Sequence, residues 1–235
     1  MIRPQPSSTL VICAAAPRQP VGRQAAWIDT ATALGVPVTW LVGADDLSPA
    51  LDGLDVALDV PPAACGSRRR LRDLVARGRD LLPGLSTVAL RGPTAIEQRV
   101  LLAESGIAVA LVDAFSDEGR GCRRPAPRGW ACRNVIWGLW EVLVTPPRAE
   151  GLFGWLGFGG PPRLRAGGLQ VLRSDVTTSG TSPAAVVPPR LQRWIAWAAQ
   201  RRERGSVSVA RLSGLPGLIA GGDQQPIARS VLRAA

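Results

Sequence analysis

The 235-residue chain contains no histidine, lysine or tyrosine, so its titratable side chains are 28 arginines, 18 carboxylates and four cysteines. The absence of imidazole excludes most metal-hydrolase, triad and general-base chemistry; arginine stays protonated, which leaves Asp, Glu and Cys for proton transfer or nucleophilic attack. The net charge of +10 comes from arginines scattered between Arg3 and Arg233, not from a basic face interleaved with aromatics, so no specific nucleic-acid partner is expected and only weak, nonspecific association stays open.

A hydrophobic content of 46% over this length is enough for one domain, 1–235, with its own core. No apolar run approaches the roughly 20 residues that span a bilayer. Met1 to Ala16 holds only the short run Leu10-Val11-Ile12-Cys13, which suits a first buried strand better than a signal peptide, and a cytoplasmic location is expected. Cys13, Cys65, Cys122 and Cys132 show no CxxC spacing, which argues against a structural zinc site. Free thiols are expected; a Cys122–Cys132 disulfide would need an oxidising compartment.

Strand-like and helix-like segments alternate in chain order. Thr9–Cys13 is followed by Val21, Ala25, Ile28 and Thr32 on one helix face, with Gly35 as the stop. Strand patterns at Pro37–Val42 and Asp55–Val60 precede a helix carrying Leu71, Leu74, Val75, Leu81 and Leu82. Its Arg68-Arg69-Arg70-x-Arg72 reads as a solvated face or, less simply, an anion patch; Arg201-Arg202-x-Arg204 reads likewise. Ser86–Arg91 is a strand, and Thr94 with Glu97 forms a capping box for a helix with Ile96, Val100 and Leu101 that closes at Gly106. Strands then follow at Ile107–Val112, Leu139–Thr145, Leu169–Arg173 and Ser206–Arg211, the last two separated by a helix from Pro188-Pro189 through Leu191, Trp194, Ile195 and Ala198.

This alternation implies an α/β fold with a parallel sheet, and about eight strands in one domain predict a closed or nearly closed (β/α) barrel. An open doubly wound sheet is the alternative, but no GxGxxG or GxxxxGK[ST] supports its nucleotide-binding versions. The rhythm breaks at about 115–168, an excursion rich in Gly, Pro, Arg and Trp that includes Trp130, Trp137, Trp140, Phe153, Trp155 and Phe158. It reads either as a hydrophobic plug over the barrel mouth or as a sugar-stacking surface.

Several short stretches, in this order, resemble the polysaccharide deacetylase (NodB-homology) family over most of the chain. They are Ala33-Leu34-Gly35-Val36-Pro37-Val38-Thr39-Trp40-Leu41-Val42-Gly43, Leu90-Arg91-Gly92-Pro93, Leu101 to Ile107, Trp140-Glu141-Val142, and Val171-Leu172-Arg173-Ser174 with the helix and strand that follow. The resemblance implies the distorted seven- to eight-stranded barrel of that family. It also implies a pair of aspartates at the end of the first strand, where this chain has Cys13-Ala14-Ala15-Ala16-Pro17. The family's two metal-binding histidines correspond to the stretch Leu58-Asp59-Val60-Pro61-Pro62-Ala63, and its last histidine to Arg173. Only Arg91 is retained among the chemical positions.

Barrel geometry places residues at strand C-termini on one face. Asp59, Arg91, Asp113, Arg173 and Asp175 are therefore expected at the mouth, with Asp45 and Asp46 in a nearby loop. Such a set reads most simply as ion pairs, with Arg91 held by a carboxylate such as Asp59 or Asp113. Ligand-binding candidates are Arg91, Arg173, Asp175 and Trp140. Asp59 and Asp113 are the candidates for any catalysis, and an oxygen-only Mg²⁺ or Ca²⁺ site on Asp59, Asp113 and Asp175 is the remaining option. No zinc and no cofactor are expected. The expected function is that of a polysaccharide deacetylase-like protein without catalysis, binding glycan or serving a carbohydrate enzyme as partner; an active hydrolase of N-acyl or O-acyl sugars is the alternative.

Overall fold

The computed structural model describes residues 8–15, 28–112, 132–136, 138–145, 167–175 and 189–221. The strands are β1 (Ser8–Ala15), β2 (Thr39–Gly43), β3 (Val56–Val60), β4 (Thr87–Leu90), β5 (Val109–Val112), β6 (Cys132–Ile136), β7 (Leu139–Leu143), β8 (Leu169–Asp175) and β9 (Val207–Val209). The longer helices are α1 (Arg68–Leu81), α2 (Ile96–Glu104), α3 (Pro189–Glu203) and α4 (Leu215–Gly221). Shorter helical turns lie at Pro49–Leu51 and Pro62–Cys65, and residues 28–33 are helical.

Every expected strand is present, and β1 shows why these segments read as near-continuous apolar runs. Its residues alternate between two buried faces. Val11, Cys13 and Ala15 join Leu41, Ala57, Ala89, Val109, Leu111, Val142, Leu169 and Val171 in one apolar cluster. Leu10, Ile12 and Ala14 belong to the other, where Leu58, Val60, Val88 and Leu90 meet the helical residues Leu71, Val75, Leu102, Leu191 and Ile195. The first cluster fills the inside of the sheet, and the second fills the layer between sheet and helices.

The sheet order is β6-β7-β5-β4-β3-β2-β1-β8, with β9 also on β1. All neighbours are parallel except β6 and β7. After β7, the Thr145 N–H donates to the Val171 carbonyl at 2.8 Å and the Val171 N–H to Thr145 Oγ1 at 3.0 Å. These bonds bring the two ends of the sheet together, and the parallel strands nearly close into a barrel flanked by helices. β8 follows β1 from Thr9 to Ala15, while the other edge of β1 is shared by β9 at Ser8–Leu10 and β2 at Cys13–Ala15.

Two details depart from the sequence expectations. Ala95, not Thr94, is the N-cap of α2, and it makes no side-chain cap bond, so the capping box at Thr94 and Glu97 does not form. The Gly92-Pro93 turn carries the chain one residue further before the helix begins. β6 was also not expected; it returns through Gly138 at φ +88°, a conformation that glycine adopts without steric cost. The expectations for 115–131 and 146–166 lie outside the described residues. Among the described residues, no helix is long and apolar enough to cross a membrane.

Candidate functional site

Along β3 and β4 the inner row runs Ala57 then Asp59, and Ala89 then Arg91, so the period-two pattern brings two opposite charges out just beyond the apolar interior. Arg91 Nε donates to Asp59 Oδ1 at 2.7 Å, and its Nη2 donates to Oδ2 at 2.8 Å. This is the planar two-bond match between guanidinium and carboxylate. The side chains are 27% and 22% exposed, so the pair faces solvent while its stems are covered. The Arg91 N–H extends the ladder by donating to the Val60 carbonyl at 3.0 Å.

The loop after Arg91 presses on the turn after β3. A Cβ on Gly92 would stand 3.2 Å from Pro62 Cα and 3.4 Å from Cys65 Cβ, and a side chain there would push the two strand ends apart. Cys65 is fully buried beneath them, and its Sγ–H donates to the Val60 carbonyl at 3.7 Å. Burial, with a smaller contribution from the Asp59 charge, raises its pKa against the opposing backbone contacts from Gly92 and Arg91. Its burial and its contact with the Val60 carbonyl make it a packing group beneath the strand ends.

At the end of β1, Cys13, Ala14 and Ala15 are buried, and burial, followed by the charge of Asp55, pushes the Cys13 thiol far above its ordinary range. The zinc centre implied by the family resemblance does not fit this donor set. The chain has no histidine, the first strand ends without a carboxylate, and both oxygens of Asp59 are held by Arg91. Among the described residues, no group of three or more His, Cys, Asp or Glu could hold a metal ion.

Of the other expected site residues, Arg173 and Asp175 stand toward the C-terminal end of β8, the same end of the parallel strands as Asp59 and Arg91. Arg173 is half-buried on β8 in register with Cys13, and Asp175 is in register with Ala15. Trp140 stands near the beginning of β7, in register with Val109 at the start of β5. That is the opposite end of the strands from Asp59 and Arg91. Asp113 and the side chain of Asp175 lie outside the described residues, so an oxygen-only cation site has only Asp59 described, already engaged by Arg91. Asp45 turns outward to Arg77 at 3.1 Å, and the Asp46 N–H closes a turn onto the Gly43 carbonyl at 3.0 Å.

Two buried carboxylates were not singled out by the sequence reading. Asp55 accepts the Thr39 hydroxyl and the Leu212 N–H, the latter at 2.9 Å to Oδ2. Glu141 is 1% exposed and lies 2.8 Å from Arg99 Nε of α2. The available signal was a lone carboxylate at the edge or centre of an apolar strand run, as in Leu139-Trp-Glu-Val-Leu143.

No protein-family profile matches the chain, and no curated protein matches it in sequence. Solved structures are similar in fold at low identity. A candidate polysaccharide deacetylase involved in O-antigen biosynthesis from Bordetella bronchiseptica is 15% identical, with a TM-score of 0.47 over 71% of this chain and 70% of that one. A family 4 carbohydrate esterase from Streptomyces lividans is 11% identical, with a TM-score of 0.48 over 88% and 92% of the two chains. A family 4 acetyl xylan esterase from Clostridium thermocellum is 10% identical, with a TM-score of 0.47 over 90% and 92%.

Proposed function

We propose that this chain is a non-catalytic, deacetylase-like barrel that binds glycan at the mouth formed by Asp59 and Arg91. The observation that carries this reading is the two-bond Asp59–Arg91 pair. A carboxylate whose two oxygens are both occupied by a permanently charged guanidinium is a poor base for activating water. The same pair, partly open to solvent, offers fixed donor and acceptor groups to sugar hydroxyls. The deacetylase-like stretches around Arg91 agree with a carbohydrate ligand. The Cys13-Ala14-Ala15 strand end agrees with the absence of hydrolysis.

The test is to incubate the purified chain with chitin-type oligosaccharides, follow binding by titration calorimetry, and measure released acetate and bound metal in the same samples. Binding without acetate release or stoichiometric metal is expected. Stoichiometric zinc with turnover abolished by a chelator would overturn the reading, as would the absence of glycan binding.

A further inference from the structure

The two ends of α1 treat their arginines differently. At the C-terminal end, Arg77 pairs with Asp45 at 3.1 Å and Arg79 donates to the Ser105 carbonyl, so both are tied to neighbouring structure. In the first two turns Arg68, Arg69, Arg70 and Arg72 are all exposed. Arg69 approaches Asp73 only at 3.9 Å, with the two side chains 86% and 64% exposed. Arg68, Arg70 and Arg72 have no carboxylate partner among the described residues. No acidic residue stands in the first turn.

Helix stability does not account for this arrangement. Cations are disfavoured at the positive end of a helix dipole, and like charges at i and i+4, as in Arg68 and Arg72, repel. A bias toward arginine across the whole chain explains the residue type but not the contrast between the ends. The turn Pro62–Cys65 joins β3 to Ser67, which caps α1, and the Gly92 backbone packs on Pro62. Arg68, Arg70 and Arg72 therefore stand on the same rim of the barrel as Asp59 and Arg91.

We infer that this rim selects an anionic glycan, one carrying uronate carboxylates or phosphate groups. The inference rests on the glycan-binding reading above and names the substrate class for the same mouth. Asp59 and Arg91 cancel each other's charge and meet neutral hydroxyls, while Arg68, Arg70 and Arg72 meet the anionic groups. Guanidinium suits both carboxylate and phosphate because its planar donors match their paired oxygens. Flexible exposed arginines contribute mainly long-range attraction, so binding through them weakens with salt.

The experiment compares oligogalacturonate with a chitin-type oligosaccharide of equal length, using the full chain at low and physiological salt. We expect oligogalacturonate to bind more tightly at low salt. The variant Arg68→Gln/Arg70→Gln/Arg72→Gln should lose about tenfold of that affinity, keep its affinity for the neutral oligosaccharide, and melt no lower than the parent chain. Arg77→Gln/Arg79→Gln removes the same kind of charge from the other end and should leave the preference in place. Equal affinity for the two oligosaccharides overturns the anionic selection but leaves the glycan reading standing; binding of neither overturns both. An equal loss in the Arg77/Arg79 variant, or tighter binding of a single-stranded DNA of matched charge, also overturns the inference.

Discussion

Arg91 and Asp59 are each about three-quarters covered, which sets how much their pairing contributes. Removing one partner of a fully buried pair costs about 3–5 kcal/mol, whereas exposed pairs contribute about 0–1 kcal/mol. Arg91→Met should fall between these limits, at about 1–3 kcal/mol, and lower Tm by a few degrees in a thermal melt. Arg69→Met, at an exposed position, should leave Tm unchanged. Asp59→Asn in the Arg91→Met background should recover part of the loss, because the stranded charge is then gone; no recovery would show that the pair is not the source of the effect.

The thiols dominate alkaline titration, since this chain has no lysine or tyrosine to titrate in that range. Burial pushes Cys132 up to about 12 and raises Cys13 and Cys65 as well. An unfolded thiol ionises near pH ~8.5, so above that point the unfolded state binds fewer protons than the fold. Stability should be fully present below about pH 8.5 and decline as pH rises toward 12, by about 1.4 kcal/mol per pH unit from Cys132, with Cys13 and Cys65 acting in the same direction. Urea unfolding at pH 8 and pH 10 checks this, with a lower midpoint expected at pH 10. Cys132→Ala should flatten the difference, and an unchanged slope would remove Cys132 from the account.

At the scale of elements, α1 packs on the sheet through a gap that only a small residue leaves open. A Cβ on Gly78 would meet Leu85 Cδ2 at 2.9 Å, Leu58 Cδ2 at 3.3 Å and Leu47 Cδ1 at 3.5 Å. Glycine is a weak helix former, yet here it allows the helix to approach β3 closely. Gly78→Val should therefore destabilise by about 1–3 kcal/mol through overpacking, measured by denaturant unfolding. Gly84→Val, where nothing lies within 4 Å of the added Cβ, is the control for size. The strands and long helices were legible because their apolar periodicity is strong. The α2 cap was not, because Thr94 and Glu97 have the right spacing but Gly92-Pro93 keeps Thr94 outside the helix. β6 was not legible because Cys132-Arg-Asn-Val-Ile136 is a mixed run, and its pairing is made by the hairpin at Gly138.

At the scale of the molecule, the described chain after β9 turns into the sheet interior. Ala210, Leu212 and Leu215 join the inner cluster, and the Leu212 N–H is accepted by Asp55 Oδ2 at 2.9 Å while also lying 3.1 Å from Thr39 Oγ1. This segment joins positions more than 150 residues apart: Leu212 to Asp55 spans 157. Leu212→Ala should cost about 2–5 kcal/mol, as other large-to-small changes in a core do. Asp55→Ala should cost about 1–3 kcal/mol, because a buried N–H and a hydroxyl lose their acceptor. Asp55→Asn keeps an oxygen and should be milder. A single cooperative unfolding transition that shifts with both variants would link this closure to the whole barrel.

The α/β alternation, the parallel sheet and the lack of imidazole chemistry can be read along the chain, because apolar period and residue inventory are local properties. The same reading places Asp59 and Arg91 at successive strand ends and marks the arginines opening α1. The chain alone does not show that Asp59 accepts from both Nε and Nη2 of Arg91, that Trp140 stands at the opposite end of the strands, or that Asp55 anchors Leu212. Those outcomes depend on strand register and on contacts between distant segments. Period-two patterning says which face a side chain occupies, whereas register and closure decide what it meets there.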